Sequence, residues 1–234
     1  MFLPLHDDAP PLRHIARPAA TWALILTNVA VWAAGAAGWL GDLARLDTAL
    51  GVIPAVVFGH AQLAPDLAVA PVWATFVSSM FLHVGFWHLA GNMLFLFVFG
   101  DNIEDAMGTL RFFVFYLLCG LAGALAHAFA APTSESPLIG ASAAVSGVIA
   151  AYLLLHPQVR VLGLVFNWLP VRIAAFWLIG AWIAFQIGSA LFGGRAEVGW
   201  WAHVGGILAG AAATPLLIRR GTPLLGRAAT PAPR

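Results

Sequence analysis

Residues 139 to 148 read IGASAAVSGV. The stretch heads an apolar run bounded by Pro137 and Pro157, yet most of its residues have little or no side chain, and two hydroxyls, Ser142 and Ser146, lie one turn apart. Small residues let two helix backbones approach closely inside a membrane. Gly140, Ala143, Ala144, Gly147 and Ala151 therefore predict a helix pressed against a neighbour, with Ser142 at the contact. A matching face lies far down the chain: Gly205, Gly206, Ala209 and Gly210 include a GxxxG pair, and His203 stands just ahead of them.

Composition supports the membrane setting. The chain is 61% hydrophobic and 9% charged, against about 25% charged for an ordinary soluble domain. All eleven basic residues are arginine and the net charge is +1, which fits neither a nucleic-acid partner nor a polybasic lipid-binding patch. Cys119 is the one cysteine and lies in an apolar run, so no intrachain disulfide forms. The first eighteen residues hold four prolines and two arginines without an apolar core, and do not read as a cleavable signal.

Apolar stretches near the ~20 residues that cross a bilayer occur at Trp22–Leu40, Phe112–Ala131, Ile173–Phe192 and Val198–Ile218. Two more, Phe86–Gly100 and Leu138–Leu155, are shorter or carry polar groups, so the expectation is six spans in an all-α, polytopic membrane protein. Pro71–Leu82 is too short to cross and joins a long interfacial loop over about 41–85. With the N-terminus in the cytoplasm, Arg13, Arg17, Arg111, Arg160, Arg172, Arg219, Arg220, Arg227 and Arg234 are inside and only Arg45 and Arg195 outside. A seventh span would carry Arg111, Arg160 and Arg172 across, which the positive-inside rule disfavours. The organisation expected is a cytoplasmic N-terminal tail over 1–20, a membrane domain over 21–219 and a disordered cytoplasmic tail over 220–234, rich in Pro, Ala and Thr.

Six spans starting inside make the second, fourth and sixth run inward together. Asn92, Ser142 and His203 then lie roughly 6 to 9 Å along their spans at ~1.5 Å per residue, in one layer. Polar groups at such depth face a bundle interior or a wet cavity and mark function by default. A serine with an imidazole within ~2.6–3.2 Å is the arrangement of an activated nucleophile. Acyl transfer also needs donors for the developing oxyanion. His88 and Asn92, four apart on one helix face, qualify, as does the Ser142 N–H near a helix start. His83 is read as a loop-anchoring hydrogen-bonder, and a His83/His88 metal site is disfavoured because thiolate and carboxylate ligands are missing nearby. Glu135 and Glu197 fall in outer loops, so a Ser–His dyad is expected rather than a triad. His127 and Gln186 read as interhelical hydrogen-bonders.

The segments FLHVGFWHLAGNM (81–93), EDAMGTLRF (104–112), GASAAVSG (140–147) and WAHVGG (201–206) resemble, in order and spacing, the rhomboid intramembrane serine proteases of the bacterial six-helix type, over about residues 20 to 219. The resemblance implies a rhomboid-like six-helix bundle in a bacterial cytoplasmic membrane, open to the outer aqueous side. Ser142 would be the nucleophile and His203 the base, with His88, Asn92 and the Ser142 amide as oxyanion donors; Glu104 matches a structural acidic position. Transmembrane proteins are the implied substrates, and no cofactor or metal is implied. The chain departs from the family pattern in having Ala143 for the usual glycine after the serine, Ser146 for an aromatic that stacks on the histidine, and Ala74 for the arginine that often follows Trp73. Two rival readings are a catalytically silent rhomboid-like protein that binds membrane clients, which commonly loses the serine or the histidine, and a small transporter, which predicts paired midplane charges that these spans lack.

Overall fold

Each of the six apolar stretches is helical in the computed structural model, which describes residues 2–165, 168–192 and 199–226. In chain order the elements are β1 (Phe2–Asp7), α1 (Ala19–Ala36), α2 (Leu43–Leu50), α3 (Pro54–Val57), α4 (Val72–Ser78) with a 3-10 turn (Ser79–Phe81), α5 (Phe86–Met107), α6 (Thr109–Ala130), α7 (Ser142–Leu155), β2 (Arg160–Val165), β3 (Leu169–Ala174), α8 (Ala175–Phe192) and α9 (Trp200–Leu217). The six long helices form a helical membrane bundle; α1, α6 and α8 are each long and apolar enough to cross a bilayer alone.

The bundle is organised around α7, eleven of whose 14 residues are buried. Glycine makes this packing possible. A Cβ on Gly206 of α9 would lie 2.0 Å from the Ala143 carbonyl oxygen, one on Gly210 would lie 2.5 Å from Gly147 Cα, and one on Gly147 would lie 2.4 Å from Cys119 Sγ of α6. Gly123 of α6 adds a contact absent from the sequence reading: its Cβ would lie 2.4 Å from the Ala202 carbonyl oxygen and 2.5 Å from Ala143 Cβ. At such distances backbones touch, and dispersion replaces the hydrophobic drive that lipid does not supply.

One boundary shift bears directly on the site. The fourth span begins at Ser142, not Leu138. Leu138 exchanges backbone hydrogen bonds with Val52 (3.1 and 2.8 Å), and Gly140 donates to the Ser79 carbonyl at 2.8 Å. Gly140 also has φ +117°, a conformation that L side chains rarely adopt. The segment ahead of α7 is thus tied to the first loop. At ~1.5 Å per residue, α7 is only about 21 Å long, shorter than the ~30 Å hydrocarbon layer.

Beside the helices lies a three-stranded antiparallel sheet in order β1-β2-β3, in which Phe2–Asp7 pairs with β2. The prolines agree with that order: Pro4 and Pro170 lie on the two edge strands, where a missing N–H costs no ladder bond. Arg172 pairs with Asp8, and Asp7 accepts hydrogen bonds from Tyr152 of α7 and Asn102 of α5. Arg219 donates to the Asp105 carbonyl at 3.2 Å, while Asp105 accepts from the backbone of Arg13, His14 and Ile15. The arginines expected inside that are described here therefore gather at one end, and Arg45, paired with Asp66 at 2.6 Å, lies in the first loop. Arg195, Arg227, Arg234 and Glu197 lie outside the described residues, as does most of the expected 220–234 tail, of which Leu225 donates to the Leu154 carbonyl at 2.6 Å.

In the first loop no helix is long enough to cross a bilayer alone. Its helices α2, α3 and α4 are short, and the α4 segment turns by 81° into α5. Exposed Trp39, Trp73 and Trp87 flank it as an interfacial aromatic belt does.

Candidate active site

Ser142 is the first residue of α7, and His203 lies in the first turn of α9. Contact of Gly206 with Ala143 sets the two helix starts side by side, and Ser142 Oγ lies 3.0 Å from His203 Nε2. At a helix start the first N–H groups have no intrahelical acceptor and carry the positive end of the dipole. The boundary shift described above thus gives Ser142 an environment suited to negative charge, which a position four residues inside the helix would lack.

The second ring nitrogen of His203 is also engaged. Nδ1 lies 3.0 Å from Oε1 of Gln186, a buried residue of α8. Gln186 is an interhelical hydrogen-bonder, as its isolation in an apolar span indicates, and its partner is the histidine of the serine pair. The sequence signal for this was a lone amide in α8 whose counterpart could not be named. Trp182 and Trp200 flank the imidazole, with ring centroids 6.4 and 6.1 Å away. Ser146, where an aromatic was the family expectation, instead donates to the Ser142 carbonyl at 2.6 Å.

His88 and Asn92 project from the first two turns of α5. The His88 ring lies over Gly140, two residues ahead of Ser142, where a Cβ would meet Cε1 at 2.7 Å and Nε2 at 2.9 Å. Asn92 is buried and its amide donates one hydrogen to the His88 carbonyl at 3.0 Å, leaving the second N–H of the amide to donate elsewhere. His83 Nε2 accepts from the Ala141 N–H at 3.4 Å, and its ring meets that of His88 with centroids 5.1 Å apart. His83 thus braces both the residue before Ser142 and the His88 ring. Glu135 has no hydrogen bond to His203; the contacts of Nδ1 and Nε2 are with Gln186 and Ser142.

Glu104 stands at the other end of α5. It is fully buried and accepts from Ala20 N (3.0 Å), Thr21 N and Oγ1 (both 2.8 Å) and Thr109 Oγ1 (2.8 Å). Its carboxylate caps the N-terminus of α1, where an anion is favoured.

Residues 70–220 match the family model for the rhomboid domain. The chain belongs to the rhomboid family. This rhomboid is 32% identical over 143 residues to mitochondrial rhomboid protein 1 of Saccharomyces cerevisiae, a match covering 57% of this chain and 39% of the relative. Over 81 residues it is 36% identical to the rhomboid protease GluP of Bacillus subtilis (35% of this chain, 15% of the relative). Over 79 residues it is 35% identical to inactive rhomboid protein 1 of Drosophila melanogaster (34% and 5%). The chain therefore spans well under half the length of these relatives, and the family contains both proteases and inactive members. Membership and the apolar helices make it an integral membrane protein.

Proposed function

We propose that this rhomboid is an intramembrane serine endopeptidase that cuts transmembrane proteins near the outer membrane face, with Ser142 as nucleophile and His203 as general base. One observation carries the reading: the 3.0 Å approach of Ser142 Oγ to His203 Nε2 across two helices sixty-one residues apart in sequence. Such a contact inside a bilayer is within the range at which an imidazole takes a hydroxyl proton.

The reaction runs in two halves. Ser142 Oγ attacks the scissile carbonyl while its proton passes to Nε2. The oxyanion is met by the Ser142 N–H at the helix start, with His88 and Asn92 as further donors. The C–N bond then breaks, Nε2 gives its proton to the leaving amine, and an acyl-serine ester remains. Water, deprotonated by the same nitrogen, attacks that ester and frees Ser142. Water must reach this depth, which agrees with polar side chains collecting at one end of α5, α7 and α9. In this reading residues 21–219 are the catalytic membrane domain, both termini lie on the cytoplasmic side of a bacterial membrane, and the loop over about 41–85 faces outward; the arginine asymmetry supports that orientation.

A second reading, a catalytically silent client-binding rhomboid, is favoured by the likeness to an inactive relative. A fluorophosphonate probe separates the two. Labelling of the wild type at Ser142 but not of His203→Ala, with cleavage of a transmembrane reporter in liposomes abolished by Ser142→Ala, is the expected result. A folded wild type that neither labels nor cleaves overturns the protease reading.

A further inference from the structure

We propose that Gln186 is a positioning residue: its side-chain oxygen holds the hydrogen of His203 on Nδ1, leaving Nε2 free to accept the Ser142 proton, so that α8 supplies the group that makes the dyad most active. The role of the pair rests on the protease reading above.

Burial in α8 is confined to Ala175, Ile179 and Gln186 out of 18 residues. Eight of its residues are exposed and seven half-buried, and Gln186 is the buried polar group on it, 4% exposed. A buried amide without a partner is costly in a membrane, and this one has its Oε1 3.0 Å from Nδ1 of His203. A neutral imidazole carries one ring hydrogen, and the bond made by one nitrogen decides which. For Nε2 to take a proton, the hydrogen must sit on Nδ1, and the Gln186 oxygen is the acceptor within reach.

Other groups around the ring do not supply this restraint. Trp182 and Trp200 present aromatic surfaces at 6.4 and 6.1 Å, Ser142 occupies Nε2, and Ser146 is turned to the Ser142 carbonyl. The titratable groups that act on the ring are His88 of α5 and His127 of α6, neither of them a carboxylate. Gln186 therefore does with a neutral oxygen what an acidic third member does in a triad: it fixes tautomer and ring orientation. It stands on a helix separate from those of Ser142 and His203, so displacement of α8 removes the acceptor. The first turn of α9 and the small-residue contacts with α7 would remain.

Two measurements test this. In detergent, 15N spectra of histidine-labelled protein, assigned with His203→Ala, should show the His203 hydrogen on Nδ1 in wild type and a shift toward Nε2 in Gln186→Leu. In liposomes Gln186→Leu should lower kcat roughly 10- to 100-fold at nearly constant KM, a smaller loss than the ~10⁴-fold that follows a wrong tautomer in a full triad. Gln186→Glu, which keeps an acceptor oxygen, should recover most of that loss. A wild-type hydrogen on Nε2, an unchanged tautomer in Gln186→Leu, or Leu and Glu variants of equal kcat overturns the proposal. Should the wild type prove inactive, the protease reading fails, and the spectra still decide whether Gln186 sets the tautomer.

Discussion

A methyl group on Gly206 would lie 2.0 Å from the carbonyl oxygen of Ala143, the residue that follows Ser142. The obstacle is main chain, which cannot swing away as a flexible side chain can. Gly206→Ala must therefore push α9 from α7, and overpacking of this kind costs about 1–3 kcal/mol. We expect a lower Tm in detergent together with loss of fluorophosphonate labelling even well below that Tm, since His203 stands one turn ahead of the contact. Gly180→Ala on α8, where a Cβ meets nothing within 4 Å, should leave both unchanged.

Asn92 offers a graded test of the oxyanion site. Its amide donates one hydrogen to the His88 carbonyl at 3.0 Å and keeps a second for a substrate. Losing one oxyanion donor costs up to about 10²–10³-fold in kcat, but in the proposed site the Ser142 N–H and His88 share the charge. Asn92→Ala should lower kcat without abolishing cleavage and leave KM nearly constant, as steady-state kinetics on a transmembrane reporter will measure.

Much of this geometry was legible because small residues constrain what can lie beside them. Gly147, Gly206 and Gly210 stated that two backbones meet, and the polar depth shared by Ser142 and His203 stated where. The start of α7 was not legible: the apolar run continues back to Leu138, and only the Val52 pairing and the positive φ of Gly140 end the helix at Ser142. Neither did the strands announce themselves. Residues 160–172 fall between two expected spans, and the pairing of 160–165 with Phe2–Asp7 is a long-range contact that no local pattern encodes. Gln186 was visible as an anomaly whose partner was set by tertiary packing alone.

Glu104 should matter for stability rather than for turnover. Fully buried, it satisfies two backbone N–H groups of α1 and the hydroxyls of Thr21 and Thr109. Glu104→Ala leaves those donors without an acceptor, at about 1–3 kcal/mol for each buried group left unsatisfied. Thermal unfolding in detergent should fall markedly, while any variant that remains folded at low temperature should label at Ser142 at close to the wild-type rate.

Asp47 in α2 gives a pH signature in the first loop. Burial, and then the nearby Asp42, raise its carboxyl above the usual value, and its Oδ1 is buried without a hydrogen-bond partner. A folded-state value above the unfolded one means that the folded chain holds the proton more tightly. The stability so contributed is complete below about pH 4, near the unfolded value, and is lost as pH rises through the raised one. At neutral pH the charged side chain therefore works against the fold of this loop. Asp47→Asn, which keeps the shape without the charge, should raise Tm at pH 7 and converge with wild type toward pH 4. Parallel melting curves for the two proteins from pH 4 to 8 will check this, and a gap that stays constant or widens toward acid would count against it.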